Sequence, residues 1–270
     1  METFEKIKKG IHVYGTCVTS FNPLWPDAIQ KAGLDFVFID TEHISLDRSQ
    51  VGHLCQTYGG RGITPIVRIS RPDPFLACQM IDAGAKGVVA PYLEKEEEIV
   101  GLVGATKYRP LKGEQLKQFL SGRGEPMTPN LRDYISELNR GNICIANIES
   151  MPAVQNLDRL LSVKGLDAVF IGPHDLSVSM GLPENYDHPD FASVVEEIIS
   201  KCHGKNLGVG IHFSGSAERQ VHWIKKGVNI IIHSSDYALF NQRLRHDLYK
   251  IKRETGQGDY LNSNDDPHIV

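Results

Sequence analysis

The chain has 270 residues, of which 41% are hydrophobic and 23% charged, and its formal net charge is -4 at pH 7. This composition is typical of a globular protein, and the lack of a basic excess argues against nucleic acid as a partner. No run approaches the ~18 apolar residues of a membrane span, and the charged stretch METFEKIKKGI lacks the apolar core of a secretory signal.

The predicted strands are short β-rich apolar runs that recur along the chain. They lie at 12–18, 35–40, 64–69, 87–92, 142–148, 167–172, 207–213 and 228–234. All but the first are continuously apolar, as expected for parallel strands covered on both faces. Helical patterns separate most of them, and several close on Ala-Gly, Lys-Gly or Gly-Gly, which is typical of loops from a helix to a strand.

Eight such units predict an α/β protein with a single-domain (β/α)8 TIM barrel over residues 1–255. A doubly wound open sheet is the alternative, but the first strand is not followed by Gly-x-Gly-x-x-Gly, and no P-loop is present. Residues 107–141 are too long for a plain loop. We expect an inserted helical segment there, serving as a lid, as a subunit contact or as neither. Residues 256–270 form a polar tail that we expect to be poorly ordered.

The five cysteines, at positions 17, 55, 78, 144 and 202, are odd in number and widely spaced. This spacing argues against a disulfide framework and against a thiolate zinc site. It favours reduced thiols, and we therefore expect a cytoplasmic protein.

Polar and charged residues follow the predicted strands, where a barrel of this kind carries its reactive groups. The residues expected at this rim are Asp40, Glu42, His43, Arg68, Asn147, Glu149, His174, Asp175, His212 and His233. Each acid taken alone is more typical of a helix cap or a turn than of a ligand. Their position around one mouth nevertheless favours a functional site.

The chemistry of these groups points to a metal and an enolate. Carboxylates without thiolates suit a hard cation such as Mg²⁺ or Mn²⁺, with Co²⁺ as a further candidate. An arginine can neutralise an oxyanion, and a histidine can accept a proton near neutral pH. No predicted strand ends in the lysine that a Schiff-base aldolase needs. The Pro-Tyr and His-Phe ends of the fourth and seventh strands fit a glycosidase poorly.

Specific motifs make the chain resemble the HpcH/HpaI family of class II, metal-dependent pyruvate aldolases, which includes 4-hydroxy-2-oxoheptanedioate and 2-keto-3-deoxy sugar acid aldolases. The motifs are IDTEH (39–43), PIVRIS (65–70), DAGA (82–85), VVAPYL (88–93), NIES (147–150), VFIGPHDLS (169–177) and MG (180–181). NIES and IGPHDLS at this separation are the most specific of them.

The resemblance implies a role for each matched residue. Glu149 and Asp175 would be the metal ligands and His43 the general base. Arg68 would stabilise the enolate and the aldol oxyanion. Asp82 would raise the basicity of the histidine, acting across a subunit interface, in a family that is typically hexameric.

Substrate binding is implied at Arg68, Asn147 and the backbone around Gly172 and His174. The chain departs from the family in three places. Asn147 stands where Gln is common, and His174 replaces a common Ala. After Tyr108, Arg-Pro-Leu-Lys-Gly-Glu replaces Pro-Pro-x-Gly-x-Arg-Gly.

We therefore expect reversible cleavage of a 4-hydroxy-2-oxo acid to pyruvate and an aldehyde through a metal-stabilised enolate. The alternatives are a CoA-ester lyase or an oxaloacetate decarboxylase of the same superfamily, and a sugar-acid-binding barrel without turnover.

Overall fold

Eight parallel strands close into a barrel in the computed structural model, which describes residues 1–123, 126–213 and 216–256. Neighbouring strands pair in chain order, and β1 pairs with β8. The strands are β1 (Val13–Val18), β2 (Phe36–Asp40), β3 (Thr64–Arg68), β4 (Gly87–Ala90), β5 (Ile143–Ile148), β6 (Ala168–Ile171), β7 (Gly208–Phe213) and β8 (Ile230–Ser235). The prediction of a single (β/α)8 barrel is confirmed, and the doubly wound alternative is wrong.

Helices surround the barrel and alternate with its strands. They are α1 (Thr3–Lys8), α2 (Trp25–Lys31), α3 (Arg48–Gly59), α4 (Pro74–Asp82), α5 (Glu96–Lys107), α6 (Gly113–Leu120), α7 (Pro129–Leu138), α8 (Met151–Gln155), α9 (Leu157–Leu160), α10 (Pro173–Ser179), α11 (Pro189–Gly204), α12 (Ala217–Lys225) and α13 (Asp236–Glu254). Many of them begin at a polar cap, as at α3, where Asp47 and Gln50 form a capping box. Within the described ranges, none is both long and apolar enough to cross a membrane.

Two apolar clusters hold the layers together. Outward-facing strand residues pack against the helices, while inward-facing residues fill the barrel itself. The inner cluster needs small neighbours, since a Cβ on Gly210 would lie 2.6 Å from the ring of Phe170. The rings of Phe38 and Phe170, with centroids 5.7 Å apart, form the upper part of this filling. They therefore make the floor of the open end.

The opposite end of the barrel is closed by α1 and by a buried ion cluster. Ile7 of α1 belongs to the inner cluster. Asp167 is buried and binds the ammonium groups of Lys8 and Lys107 at 2.9 and 2.5 Å, and it accepts a hydrogen bond from the backbone N–H of Cys144. Because these partners come from distant segments, the cluster ties the helical layer to the sheet. Its role is stability, since catalytic groups lie at the other end.

The long segment between α5 and β5 contains α6 and α7. Leu116 and Leu120 of α6 lie against Gly104, and the rings of Tyr108 and Phe119 are 5.0 Å apart. Gly104 is near the C-terminal end of α5, and α5 runs away from the mouth. Helix α6 therefore lies far from the mouth and does not form a lid over it. The predicted polar tail at 256–270 lies outside the described residues, apart from its first residue.

Candidate active site

The strand register brings polar residues together on the inner face at the open end. Asp40 on β2 pairs directly with Arg68 on β3. Asn147, Gly172 and His212 continue the inward-facing positions of β5, β6 and β7, because side chains alternate along a strand. The barrel therefore presents a ring of polar groups above the floor formed by Phe38 and Phe170.

Arg68 is fixed by the two acids of β2 and the loop that follows it. Its Nε and Nη2 donate to the two carboxylate oxygens of Asp40 at 2.9 and 2.6 Å. Its Nη1 lies 3.1 Å from Oε2 of Glu42, and its guanidinium carbon lies 5.4 Å from the centroid of the Phe38 ring. Burial would raise the pKa of Asp40, but the bonds from Arg68 outweigh it and the pKa is lowered. The pair is thus fully charged and rigid.

His43 stands at the edge of this group. Its Nε2 is 3.7 Å from Oε2 of Glu42, and about a third of its side chain is exposed. Burial raises the pKa of Glu42, although Arg68 and Tyr92 oppose that effect. The imidazole therefore lies beside Arg68 and open to solvent, where it can exchange protons.

Glu149 lies at the same mouth, two strands along from Arg68, and is held by neighbours from three strands. The backbone N–H of Tyr92 donates to its Oε1 at 2.6 Å, and the Asn147 amide donates to its Oε2. A Cβ at Gly172 would lie 2.8 Å from Oε2 and 2.9 Å from the Cβ of Glu149, so only glycine leaves room for this carboxylate. Tyr92 itself adopts a left-handed backbone with φ of 54°, which is costly for a tyrosine. The strained residue directs its N–H at Glu149.

The charge around Glu149 fits a bound cation. Its side chain is only 5% exposed, and burial, with the charges of Glu42 and Asp175, raises its pKa to about 7. No group of three His, Cys, Asp or Glu side chains with metal-binding geometry occurs in the part of the chain that the structure describes. The protein could still supply two carboxylates, from Glu149 and Asp175. This donor set suits Mg²⁺ or Mn²⁺, which keep water or substrate oxygens as further ligands.

His174 and Asp175 open α10 at the rim. Both are partly solvent-exposed, and Nδ1 of His174 lies 3.5 Å from Oδ1 of Asp175. The other ring nitrogen of His174, Nε2, lies 3.6 Å from Oε1 of Glu184. The side chain of His174 thus lies between two acids, while Gly172 and Asn147 face the inside of the barrel. Of the predicted substrate contacts, His174 alone has its side chain turned to the rim.

Two candidate residues lie away from this site, Asp82 as the sequence predicts and His233 against the prediction. Asp82 ends α4, at the opposite end of the barrel from the mouth, where its side chain is 63% exposed and 3.3 Å from Arg109. A role for it near His43 requires a second subunit and stays a prediction. The expectation that His233 joins the rim is wrong. Its position on β8 faces outward, and it lines a cavity of about 580 Å³ between α2 and α13.

Tyr92 is the site residue that the sequence reasoning missed as a functional group. Besides its backbone bond to Glu149, its phenol interacts with Glu42, which raises the pKa of Tyr92 to about 12. Its position directly after the fourth strand was the available signal. The left-handed backbone that directs its N–H at Glu149 could not be predicted, because tyrosine rarely adopts that conformation.

Comparison with known proteins gives consistent matches over most of the chain. The family described as HpcH/HpaI aldolase/citrate lyase matches residues 14–242. A 2-dehydro-3,6-dideoxy-6-sulfogluconate aldolase of Pseudomonas putida is 29% identical, over 88% of this chain and 92% of that protein. A 5-keto-4-deoxy-D-glucarate aldolase of Citrobacter koseri is 28% identical, over 81% of this chain and 84% of that protein.

A solved structure agrees with the barrel described above. The HpcH/HpaI aldolase from Desulfitobacterium hafniense DCB-2 superimposes with a TM-score of 0.81 and 26% identity, covering 93% of this chain and 97% of that one. The similarity therefore spans the whole barrel and includes both sides of its mouth.

Proposed function

The chain belongs to the HpcH/HpaI aldolase/citrate lyase family, a family of carbon–carbon lyases, and on that premise we propose that it cleaves a 4-hydroxy-2-oxo acid reversibly to pyruvate and an aldehyde. The observation that carries the proposal is the position of a buried acid and a fixed cation at the same mouth. The buried acid Glu149 directly follows β5, and the fixed cation Arg68 lies on β3. Aldol cleavage needs positive charge at this mouth, because negative charge develops on oxygen as the carbon–carbon bond breaks. Arg68 supplies it directly, and Glu149 would supply it by holding a cation.

The reaction is a retro-aldol step. His43 takes the proton of the C4 hydroxyl, the C3–C4 bond breaks, and C4 leaves as an aldehyde. The bond electrons pass to C3 and the 2-oxo group as the enolate of pyruvate, which then gains a proton at C3. His43 suits the first transfer because a neutral imidazole accepts protons near pH 7, and its ring is partly exposed at the rim.

Arg68 offsets the negative charge on the substrate oxygens. Asp40 occupies two of its N–H groups and Glu42 lies against Nη1. A guanidinium has five N–H donors, so donors remain for the substrate. The two acids hold the group in place before the reaction, and stabilisation by such fixed charges needs no reorganisation in the transition state.

Glu149 and Asp175 would hold a divalent cation, Mg²⁺, Mn²⁺ or Co²⁺, which supplies positive charge for the oxygens of the 2-oxo acid. Tyr92 and Asn147 orient Glu149 through hydrogen bonds. Gly172 leaves room for the Glu149 carboxylate, and its own backbone and that of His174 would receive the substrate carboxylate.

A second copy of the chain enters the proposal through Asp82. Since Asp82 lies at the far end of its own barrel, it can raise the basicity of His43 only from a neighbouring subunit. We propose a homohexamer in which neighbouring barrels complete each other's sites. The five thiols are all free, which supports a reducing, cytoplasmic setting.

The test is pyruvate release from 4-hydroxy-2-oxo acids, with Glu149→Gln, Arg68→Ala and His43→Ala beside the wild type. We expect cleavage by the wild type with Mg²⁺ or Mn²⁺ and a large loss in each variant. If the wild type exchanges the methyl protons of pyruvate with solvent but cleaves none of these acids, a CoA-ester lyase or an oxaloacetate decarboxylase is favoured instead. Tight binding of a sugar acid without either activity would favour the binding protein.

A further inference from the structure

The inner face of β7 carries Gly208, Gly210 and then His212. A Cβ on either glycine would collide with side chains that fill the barrel, so both positions face the axis. Alternation along the strand places His212 on the same face, one step nearer the mouth. Its ring centroid lies 6.3 Å from that of Phe38, the ring over which Arg68 also lies. His212 therefore faces the space where Arg68 would meet the substrate.

One nitrogen of this imidazole has a partner and the other does not. The ring forms a hydrogen bond with the backbone of Ser234, whereas Nε2 is buried and has no hydrogen-bond partner among the described residues. This bond favours the protonated ring, as a bond to a carbonyl does, and Nε2 takes no part in it, so Nδ1 donates to the carbonyl of Ser234. Nε2 is then an acceptor without a donor. Burial and the charge of Arg68 lower the pKa of His212 to about 4, so the ring stays neutral.

A second polar atom without a partner lies on the adjacent strand. The Oγ of Ser234 is buried and has no hydrogen-bond partner within the described ranges. The backbone of Ser234 is also left-handed, with φ of 54°. Folded proteins rarely leave buried polar atoms unpaired, and such atoms together with backbone strain are typical of ligand sites. The nearby carboxylate of Asp236, in contrast, has hydrogen-bond partners, since it accepts hydrogen bonds from Thr19 and Ser20.

The proposed reaction supplies a donor for this acceptor. Pyruvate has no hydroxyl group, but the aldehyde half of a sugar-derived substrate has one or more. We infer that His212 contacts the substrate, its Nε2 accepting a hydrogen bond from a hydroxyl group of the aldehyde half, and that it thereby selects hydroxylated aldehydes. This inference rests on the proposed aldol function. It assigns one wall of the aldehyde pocket to β7 and β8, opposite Arg68 and beside Gly172.

The test compares two acceptors that differ by one hydroxyl group, glycolaldehyde and acetaldehyde, in condensation with pyruvate. The measured quantity is the ratio of their kcat/KM values in the wild type and in His212→Leu. We expect His212→Leu to lower the ratio about tenfold, the size of one hydrogen bond. His212→Gln keeps an acceptor and should retain part of the preference. His233→Leu, the same change on the outer face of the next strand, should leave the ratio as in the wild type.

The possible outcomes distinguish a failure of the proposed role of His212 from a failure of the proposed aldol function. A wild type that condenses pyruvate with neither aldehyde, nor with any other, overturns both. An active wild type whose ratio is unchanged in His212→Leu overturns only the role of His212. An equal loss with both aldehydes in a folded variant also overturns it, because a purely structural role gives that result. If His212→Leu does not fold, the ratio in His212→Gln decides.

Discussion

Replacing Gly172 with alanine should disturb the carboxylate of Glu149 without straining the backbone. The φ and ψ of Gly172 are -84° and 95°, which alanine adopts readily. The new Cβ would nevertheless lie 2.8 Å from Oε2 and 2.9 Å from the Cβ of Glu149, and 3.3 Å from Nδ2 of Asn147. Since ordinary contacts are about 3.5–4.0 Å, Glu149 or the chain at 172 must move by roughly 1 Å.

This movement should affect both the folding free energy and the metal affinity. Overpacking a tight site costs about 1–3 kcal/mol of folding free energy. Misplacing a ligand carboxylate typically costs about 10–100-fold in metal affinity or activity. We therefore expect Gly172→Ala to fold with a lower melting temperature and to bind Mn²⁺ about 10–100-fold more weakly, as measured by titration calorimetry. Its rate of aldol cleavage at a fixed Mn²⁺ concentration should fall in parallel.

A glycine-to-alanine change away from the site serves as the control, because it shows what the substitution alone does to stability and activity. Gly59 ends α3, and a Cβ there would meet no atom within 4 Å. Gly59→Ala should keep the Mn²⁺ affinity and rate of the wild type and gain up to about 1 kcal/mol in stability. A Gly172→Ala variant that binds Mn²⁺ and turns over like the wild type would refute the placement of Glu149 at a metal site.

Three further perturbations test other parts of the structure. Arg68→Ala should lower kcat/KM by about 10²–10³-fold, as loss of an oxyanion donor does. It should also destabilise the fold by about 3–5 kcal/mol because Asp40 stays buried without its partner; denaturant unfolding and steady-state kinetics measure the two effects. Because Glu149 has a raised pKa of about 7, Mn²⁺ affinity should rise with pH up to about 7 and then level off. The metal-free protein should lose stability as pH rises from about 4.5 to 7, since the unfolded chain releases this proton first. Asp167→Asn should lower the melting temperature, because it leaves Lys107 beside a neutral group, but should not change KM or kcat; a changed KM would contradict a purely structural role.

The sequence predicts the strands well because each depends on a local pattern. Every apolar run becomes a strand of the barrel, including the first, which Tyr14 and Gly15 interrupt. The rim residues follow from the same pattern, since a reactive group placed after a parallel strand must lie at the open end. Asp40 and Arg68 could be predicted to lie at one mouth, but their exact pairing depends on the register of β2 against β3.

Other parts of the site depend on geometry that residue types do not encode. The left-handed backbone of Tyr92 directs its N–H at Glu149, yet tyrosine has no preference for that conformation. His212 and His233 each lie near the C-terminal end of an apolar strand and look alike in the sequence. Their register differs: His212 pairs with inward-facing Ile232, whereas His233 pairs with outward-facing Phe213 and so faces the helices. The position of Asp82 at a helix end, away from the mouth, could be predicted from its place in the sequence.

The central claim is that this barrel makes and breaks a carbon–carbon bond at the enolate of pyruvate with a divalent cation. The most direct measurement is NMR detection of new 4-hydroxy-2-oxo acids when the protein, stripped with EDTA, is incubated with pyruvate and a panel of aldehydes. We predict aldol product after addition of Mg²⁺ or Mn²⁺, none before it, and none with Glu149→Gln. Product formation that persists after complete metal removal, or borohydride trapping of a lysine adduct, would contradict the account, and so would a panel without any product.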